Sequence, residues 1–239
     1  MRESLNPLDS TFANDAKHQR PACEPENESG MLVERLNNSE ADRCYEREKV
    51  LAWLDKNIPE KRLQHVLRVE EMAVKLALHH KLDAERAAQA GLMHDLAKCF
   101  QPKRLLQLAS ANGLEIDPVF AANPHLLHAD VGAIVAKAEF GIHDVSVLEA
   151  IANHTLGSPG MSALSCVVFL ADTLEPGRGD TPDLQTLREI CWHDLHRAVW
   201  LTSEYTLKYL FESRHLIHPR ALMTRNWAMQ MAIAPRQTP

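Results

Sequence analysis

The sequence predicts an all-α fold. From about Tyr45 onward the apolar residues recur at helical spacing, and no segment shows sustained alternation of apolar and polar residues. The chain of 239 residues contains only 9 glycines, and aromatic residues make up 5% of it, which argues against a β-sandwich with many turns. We therefore expect a bundle of roughly nine helices, preceded by an extension that is not part of it.

The first 44 residues differ in composition from the rest of the chain. They contain 9 acidic and 5 basic residues, and Pro7, Pro21 and Pro25 stand among Asn, Ser and Glu with little apolar material. A segment of this composition buries too little apolar surface to fold. We predict a disordered extension or linker over residues 1–44 and a helical domain over residues 45–235.

Local signals place the helices within this domain. Pro59 ends the first helix, Asp83 is a suitable N-cap, and Pro102 suits a first helical turn. Asn112-Gly113 and Gly141 suit helix ends. Together with the apolar spacing, these signals predict helices over about residues 45–58, 60–78, 83–98, 102–112, 125–140, 145–154, 162–174, 184–191, 195–212 and 221–233.

Composition also limits the function. A formal charge of −6 without a basic run argues against nucleic acid as the main ligand. The longest nearly apolar stretch, Ala163–Ala171, is too short to cross a bilayer. The five cysteines are odd in number and form no C-x-x-C pair, which indicates free thiols in a reducing compartment. We therefore expect a cytoplasmic protein with neither nucleic acid nor membrane as a partner.

Several of the 13 histidines lie where a helix faces the core. His65 shares a helical face with Val69 and Leu76, and the adjacent His94 and Asp95 follow a run of small residues. A buried imidazole or carboxylate must find a partner, because its desolvation is costly. Six such side chains are expected to point from several helices into the interior: His65, His94, Asp95, His128, His154 and Asp172.

A shared cation would satisfy this whole group at once. The six residues offer nitrogen and oxygen donors and no thiolate, which favours iron, manganese, cobalt or zinc in an open, catalytic coordination. The neighbouring His94 and Asp95 lie about 100° apart on a helix, so that the pair can hold one metal or reach two. The sequence therefore predicts a metal centre with one or two ions.

The order of these six residues resembles the HD superfamily of metal-dependent phosphohydrolases. Longer motifs narrow the resemblance. H-T-x-G-x-P-G-M at 154–161 and L-A-D-x-x-E-P-G-R at 170–178 resemble the YqeK-type symmetrical bis(5′-nucleosyl)-tetraphosphatases. The similarity extends from about Trp53 to Trp227 and leaves the first 44 residues outside it. It implies an HD-type helical bundle.

The resemblance also implies an activity, which is the hydrolysis of diadenosine tetraphosphate into two ADP molecules at a site containing one or two iron ions. It makes His65, His94, Asp95 and Asp172 the primary metal ligands. His128 and His154 would then hold a second metal or bind a substrate phosphate. The residues that would contact the polyphosphate or the product ADP are Arg62, Thr155 and Arg178.

Several roles stay open at this point. We expect Asp95 to bridge two metals or to orient the attacking water, beside His94. Lys98 could act on a phosphate oxygen, and a solvated lysine at a helix end is an equally good interpretation. A turn flanked by glycines would let Arg178 close over a phosphate or leave it as an ordinary surface arginine. Thr155 could contact phosphate or simply cap a helix end.

Two other functions also stay open. The chain could be a different HD phosphohydrolase, acting on a nucleoside phosphate, a cyclic dinucleotide or a guanosine alarmone, and the metal site alone does not separate these substrates. It could also be a non-catalytic sensor of metal and nucleotide, although a pure binding module has no need of an open metal position. The oligomeric state is undetermined, with a homodimer as one option.

Overall fold

The computed structural model describes residues 47–234, and all regular secondary structure in that range is helical. Eleven α-helices and two 3₁₀-helices follow one another there without a β-strand, which confirms the all-α prediction. The α-helices are α1 Arg47–Asn57, α2 Glu60–His79, α3 Ala84–Met93, α4 Pro102–Ala111, α5 Pro118–Ala122, α6 His128–Phe140, α7 Val145–Asn153, α8 Ala163–Leu174, α9 Pro182–Cys191, α10 Leu195–Glu212 and α11 Pro219–Ile233. The 3₁₀-helices are Pro124–Leu127 and Pro176–Arg178. The extension predicted over residues 1–44 lies outside the described residues, and the boundaries 45–235 stay a prediction.

One predicted helix is shorter than expected. Helix α3, predicted to reach Lys98, ends at Met93. Residues 94–100 form successive tight turns instead, in which the Leu96 N–H, for example, bonds to the Met93 carbonyl three residues back. The His94 side chain donates to the Gly91 carbonyl, which a continuing helix would have used for its own ladder. This early end places His94 and the residue after it in a turn rather than on a helix.

Two further segments also differ from the prediction. The helix expected over 125–140 is divided, with a 3₁₀ turn first and α6 beginning only at His128. Helix α5 was not predicted, because its five residues are too few to show an apolar period. Its local signals are nevertheless present, since Asp117 accepts hydrogen bonds from the first backbone N–H groups and Pro118 occupies the first turn.

Helix α8 forms the centre of the domain. Eleven of its twelve residues are buried, and it packs against α2, α3, α7, α9 and α10. A helix that is apolar on all sides is stable only inside such a core. Asp172 lies near the end of this helix, so its carboxylate is carried into the middle of the protein. No helix within residues 47–234 combines the length and the apolar character that crossing a bilayer requires.

Helices α2 and α3 approach each other closely at Gly91. A β-carbon at this position would lie 2.9 Å from the Glu70 Cα, which is too close for two carbon atoms. Glu70 is itself buried and accepts two 2.7 Å hydrogen bonds from Arg47, which ties α1 to α2. The close packing brings the rings of His65 and His94 to a centroid distance of 5.3 Å.

The last helix, α11, holds the turn that follows α7. The Thr224 hydroxyl donates to the Leu156 carbonyl at 2.9 Å. Gly157 has a φ of 64°, and a β-carbon there would overlap the Thr224 methyl group. The Arg220 guanidinium donates to both carboxylate oxygens of Asp130 on α6, at 3.2 and 3.1 Å. Helix α11 therefore fixes two segments that each carry a predicted ligand.

Gly157→Ala is expected to destabilise the protein by about 2–4 kcal/mol, because a left-handed backbone and an overpacked contact with Thr224 add up. The matched control is Gly160→Ala, since Gly160 also has a positive φ, of 79°, but open space around its Cα. That change should cost only about 1 kcal/mol. Urea denaturation of the full chain measures both values, and Thr224→Ser should recover part of the Gly157→Ala loss. Equal losses for the two glycine variants would contradict the close contact.

Candidate metal centre

The six side chains predicted as ligands come together in the interior. All of them are buried, and they arrive from five different parts of the chain. His65 lies within α2, while His128 is the first residue of α6. His94 and His154 are the C-cap residues of α3 and α7, and the end of α8 contributes Asp172. The C-terminal ends of three helices therefore meet at this cluster, and their negative ends favour a cation.

Local hydrogen bonds fix three of the imidazole rings. In each case Nδ1 lies close to the backbone carbonyl three residues earlier, and a carbonyl can only accept. The Nδ1···O distances are 2.7 Å for His94, 2.6 Å for His128 and 2.8 Å for His154. Each Nδ1 therefore donates its proton to the backbone, and each ring presents Nε2 to the centre of the cluster.

The inward-facing atoms form two groups that could each hold an ion. The first group is His65, His94 and Asp172, and the second is His94, Asp95 and His154, with the ligand atoms of each group within 4.8 Å of one another. His65 Nε2 lies 3.0 Å and His94 Nε2 3.7 Å from the same Asp172 oxygen, Oδ1. Among residues 47–234 these are the groups whose donor atoms converge closely enough for a metal.

Asp95 lies between the two halves of the cluster. Its Oδ2 is 3.4 Å from His94 Nε2 and 3.9 Å from His65 Nε2. Its Oδ1 faces the other side and is 3.5 Å from His128 Nε2 and 3.8 Å from His154 Nε2. The two oxygens of the Asp95 carboxylate thus face different pairs of imidazoles, which is the arrangement that a bridging ligand needs.

Burial and charge set the protonation of these groups. Burial lowers the pKa of His128 well below 6.5, and the nearby Lys98 charge lowers it further. Burial and the His94 charge lower the pKa of His154 to about 4. Burial alone would raise the pKa of Asp95, but the charges of His94 and Arg62 outweigh it and hold that pKa well below its usual range. At neutral pH His128 and His154 are therefore neutral imidazoles, and they lie beside the ionised Asp95 carboxylate.

These residues fit a metal ion. His128 Nε2 and His154 Nε2 lie 3.0 Å apart, and neither ring has a proton on that nitrogen to donate to the other. His94 Nε2 is buried without a hydrogen-bond partner. Burial lowers the pKa of His94, but the Asp95 and Asp172 carboxylates and the hydrogen bond to the Gly91 carbonyl together outweigh burial and raise that pKa, so positive charge on this ring is favoured. A divalent cation would supply that charge and satisfy the facing lone pairs.

Three positively charged side chains border the cluster. Arg62 Nη1 donates to Asp95 Oδ2 at 3.2 Å. Lys98 Nζ is half-buried and lies 3.4 Å from His128 Nε2, and burial lowers the pKa of Lys98 to about 8. The interpretation of Lys98 as a solvated helix-end lysine is therefore wrong, because the chain turns inward after α3 ends early.

Arg178 and Thr155 also differ from their simpler interpretations. Arg178 is neither a surface residue nor free to close over a ligand, because it is buried and donates to Asp172 Oδ1 at 2.6 Å and to the Asp172 carbonyl at 2.8 Å. The Thr155 hydroxyl caps no helix; it lies 2.9 Å from His154 Nε2 and 3.1 Å from His128 Nε2. Both side chains therefore border the cluster, and the contacts that hold them there could not be predicted from the local sequence.

Glu175 also belongs to this site, although its local sequence did not predict it. The side chain is buried, and its Oε1 lies 3.0 Å from His65 Nδ1. An acidic residue at the end of a helix is ordinarily solvated, so nothing in its immediate surroundings indicated burial. The available signal was its spacing, since Glu175 follows Asp172 by three residues and therefore lies on the same face of the chain.

Comparison with known proteins places the chain in a family. The HD domain family model matches residues 62–177, a range that contains every predicted site residue except Arg178. A Bacillus subtilis protein named "Bis(5'-nucleosyl)-tetraphosphatase, symmetrical" is 33% identical over 181 residues, which are 76% of this chain and 96% of the relative. The chain belongs to this tetraphosphatase family.

Two further proteins match this chain over a similar length. A relative of the same name from Halalkalibacterium halodurans is 34% identical over 180 residues, which are 75% of this chain and 95% of the relative. A crystal structure from Clostridium acetobutylicum, described as a predicted HD superfamily hydrolase involved in NAD metabolism, superposes with a TM-score of 0.74 at 34% identity. The superposition covers 77% of this chain and 97% of the Clostridium acetobutylicum chain. The tetraphosphatase family assignment therefore rests on sequence, and the architecture agrees with the HD superfamily.

Proposed function

We propose that this protein hydrolyses diadenosine tetraphosphate symmetrically to two molecules of ADP with the help of a bound divalent metal. The observation that carries the proposal is the convergence of four imidazoles and two carboxylates in the core of a chain that belongs to the tetraphosphatase family. Relatives named as symmetrical tetraphosphatases match this chain over nearly their whole length. Their similarity favours this substrate over the other nucleotides that HD proteins use.

The reaction breaks the central P–O–P bridge of the substrate. The oxygen of one water molecule is added to one inner phosphorus atom, the bridging oxygen leaves with the other half, and two ADP molecules result. A bound divalent metal supplies a water of lowered pKa at neutral pH and neutralises phosphate charge. The chain's own residues then have three tasks, which are to hold the ion, to orient the water and to bind the polyphosphate.

The ion is held by His65, His94, Asp95 and Asp172, with His128 and His154 as ligands of a second ion or as partners of a phosphate. Support for this assignment comes from the three Nδ1–H···O=C bonds, which aim the Nε2 atoms inward without a further conformational change. The donors are imidazole nitrogens and carboxylate oxygens throughout. This set suits iron, and manganese or cobalt would substitute for it.

Asp95 orients the attacking water, because its two oxygens address both halves of the cluster. Arg62 and Lys98 contact the polyphosphate, since each is half-buried with its charge directed at the centre. Arg178 contacts the phosphate nearest to His65 from a fixed position, because Asp172 holds its guanidinium and its Nη2 lies 3.4 Å from His65 Nε2. Together with the bound ion, these three cations offset part of the four negative charges that the substrate brings into a buried site.

The location and assembly of the protein remain proposals as well. A cytoplasmic location is supported by the free thiols of Cys166 and Cys191, which are buried in the core. Burial raises the pKa of both thiols to about 12, so they stay protonated and do not act as ligands or nucleophiles. A homodimer stays a prediction.

The products distinguish symmetrical from asymmetrical cleavage. Purified protein supplied with Fe²⁺ under reducing conditions should convert diadenosine tetraphosphate to ADP alone, as measured by anion-exchange chromatography. The same assay should be run with a cyclic dinucleotide, a guanosine alarmone and nucleoside monophosphates as alternative substrates. Turnover of each should be at least about 100-fold lower, which is equivalent to about 2.7 kcal/mol of transition-state binding. Equal amounts of AMP and ATP, or faster turnover of another nucleotide, would overturn the proposed substrate.

A further inference from the structure

The E-P-G-R motif after α8 contains a buried carboxylate that none of the proposed catalytic roles uses. Glu175 is buried and lies opposite α2, more than one hundred residues away along the chain. Its Oε1 is 3.0 Å from His65 Nδ1. Its Oε2 accepts from Arg68 Nε and from the Gly177 N–H, both at 2.5 Å. Three donors therefore converge on this one side chain.

The arrangement depends on the neighbours of Glu175 as well. Arg68 follows His65 by three residues on α2, so both side chains extend from the same face of that helix. Gly177 makes room for the Arg68 guanidinium, because a β-carbon at Gly177 would overlap it. The motif thus places the Glu175 carboxylate beside His65 and leaves space for the Arg68 guanidinium, which holds this carboxylate in place.

We propose that Glu175 is a positioning residue that aims His65 at the metal. Glu175 accepts the Nδ1–H proton of His65 and so leaves Nε2 as the ring nitrogen available for coordination. His65 is the only one of the four clustered histidines whose Nδ1 is held by a side chain; the other three use backbone carbonyls. A carboxylate in this place also makes the imidazole a stronger donor to the ion. The inference rests on the proposed metal-binding role of His65.

Charge and donor count explain why a carboxylate is needed. A carboxylate only accepts, and it can serve His65, Arg68 and the Gly177 N–H at the same time. A glutamine amide of the same shape has one accepting atom, and its NH₂ group would face at least one of these donors. Glu175→Gln therefore preserves the volume of the buried side chain while it breaks the hydrogen bonding that orients His65.

The test measures metal binding without nucleotide. Mn²⁺ is titrated into the full-length, metal-free protein, and free Mn²⁺ is counted by electron paramagnetic resonance. Glu175→Gln should bind Mn²⁺ about 10–100-fold more weakly than the parent. The matched control is Glu70→Gln, which removes another buried carboxylate, one on α2 that accepts hydrogen bonds from Arg47 of α1 and from none of the proposed ligands. Its Mn²⁺ affinity should equal that of the parent.

A second variant and a second readout separate positioning from a loss of folding. Arg68→Met leaves Glu175 next to His65, so it should weaken Mn²⁺ binding less than Glu175→Gln does. In turnover assays, saturating Mn²⁺ should restore most of the kcat of Glu175→Gln, and the KM for the nucleotide should stay within about twofold of the parent, because the defect lies in metal affinity. An unchanged Mn²⁺ affinity in a folded Glu175→Gln protein overturns the inference. Since no nucleotide is present in the titration, its result does not depend on which substrate the enzyme uses.

Discussion

Asp95→Asn is expected to reduce the hydrolysis of diadenosine tetraphosphate by about 10³-fold or more. The change keeps the size of the side chain but removes the negative charge that lies between the two halves of the histidine cluster. Loss of metal-assisted charge stabilisation is worth several kcal/mol in the transition state, and each 1.36 kcal/mol corresponds to about tenfold in rate. ADP release at saturating Fe²⁺ or Mn²⁺ measures the effect.

The control for Asp95→Asn is Asp144→Asn, which alters an N-cap carboxylate of α7 away from the cluster. Asparagine is as good an N-cap as aspartate, so this variant should retain nearly full activity. Circular dichroism should show the same helical content in both proteins. Activity within about tenfold of the parent in a folded Asp95→Asn protein would remove Asp95 from the proposed mechanism.

Removal of metal should abolish activity and leave the helical fold in place. After treatment with a chelator and desalting, we expect less than about 1% of the original turnover, because phosphoanhydride hydrolysis at this site has no other source of an activated water. Adding Fe²⁺, Mn²⁺ or Co²⁺ back should restore turnover. The far-ultraviolet circular dichroism spectrum should not change on chelation.

Metal binding should also raise the thermal stability. At a free Mn²⁺ concentration of 100 times the Kd, the linked stabilisation is about 2.7 kcal/mol, which corresponds to a rise in Tm of about 5–10 °C for a domain of this size. The matched measurement is His65→Gln, in which the rise should be much smaller because one ligand of the ion is gone. A Tm of the parent protein that does not respond to metal would contradict a metal centre in the core.

His65 and Asp172 were predictable because they obey helical periodicity. His65 lies in phase with Val69 and Leu76 on α2, and all three are buried. In the same way Asp172 belongs to a helix so apolar that every neighbouring position had to be interior. Apolar spacing in the sequence reports which face of a helix is buried, and a polar residue on that face is conspicuous.

The charged residues around the cluster were harder to place, because their environment comes from distant parts of the chain. Lys98 turns inward after α3 ends early, and its neighbour there, His128, is 30 residues away. Glu175 contacts His65 and Arg68, which are 110 and 107 residues away. An exposed and a buried charged residue can have the same local sequence, so only the packing of distant segments against each other decides between them.

The ion pairs within the cluster affect whether the protein can fold before it binds a metal ion. Arg62 and Arg178 already compensate the carboxylates of Asp95 and Asp172, which differs from small zinc-dependent domains that stay unfolded until the ion binds. We therefore expect the polypeptide to reach its native fold before an ion is bound and to take up the ion afterwards. Under the proposed mechanism, the supply of the divalent ion would then determine which fraction of the folded protein is active.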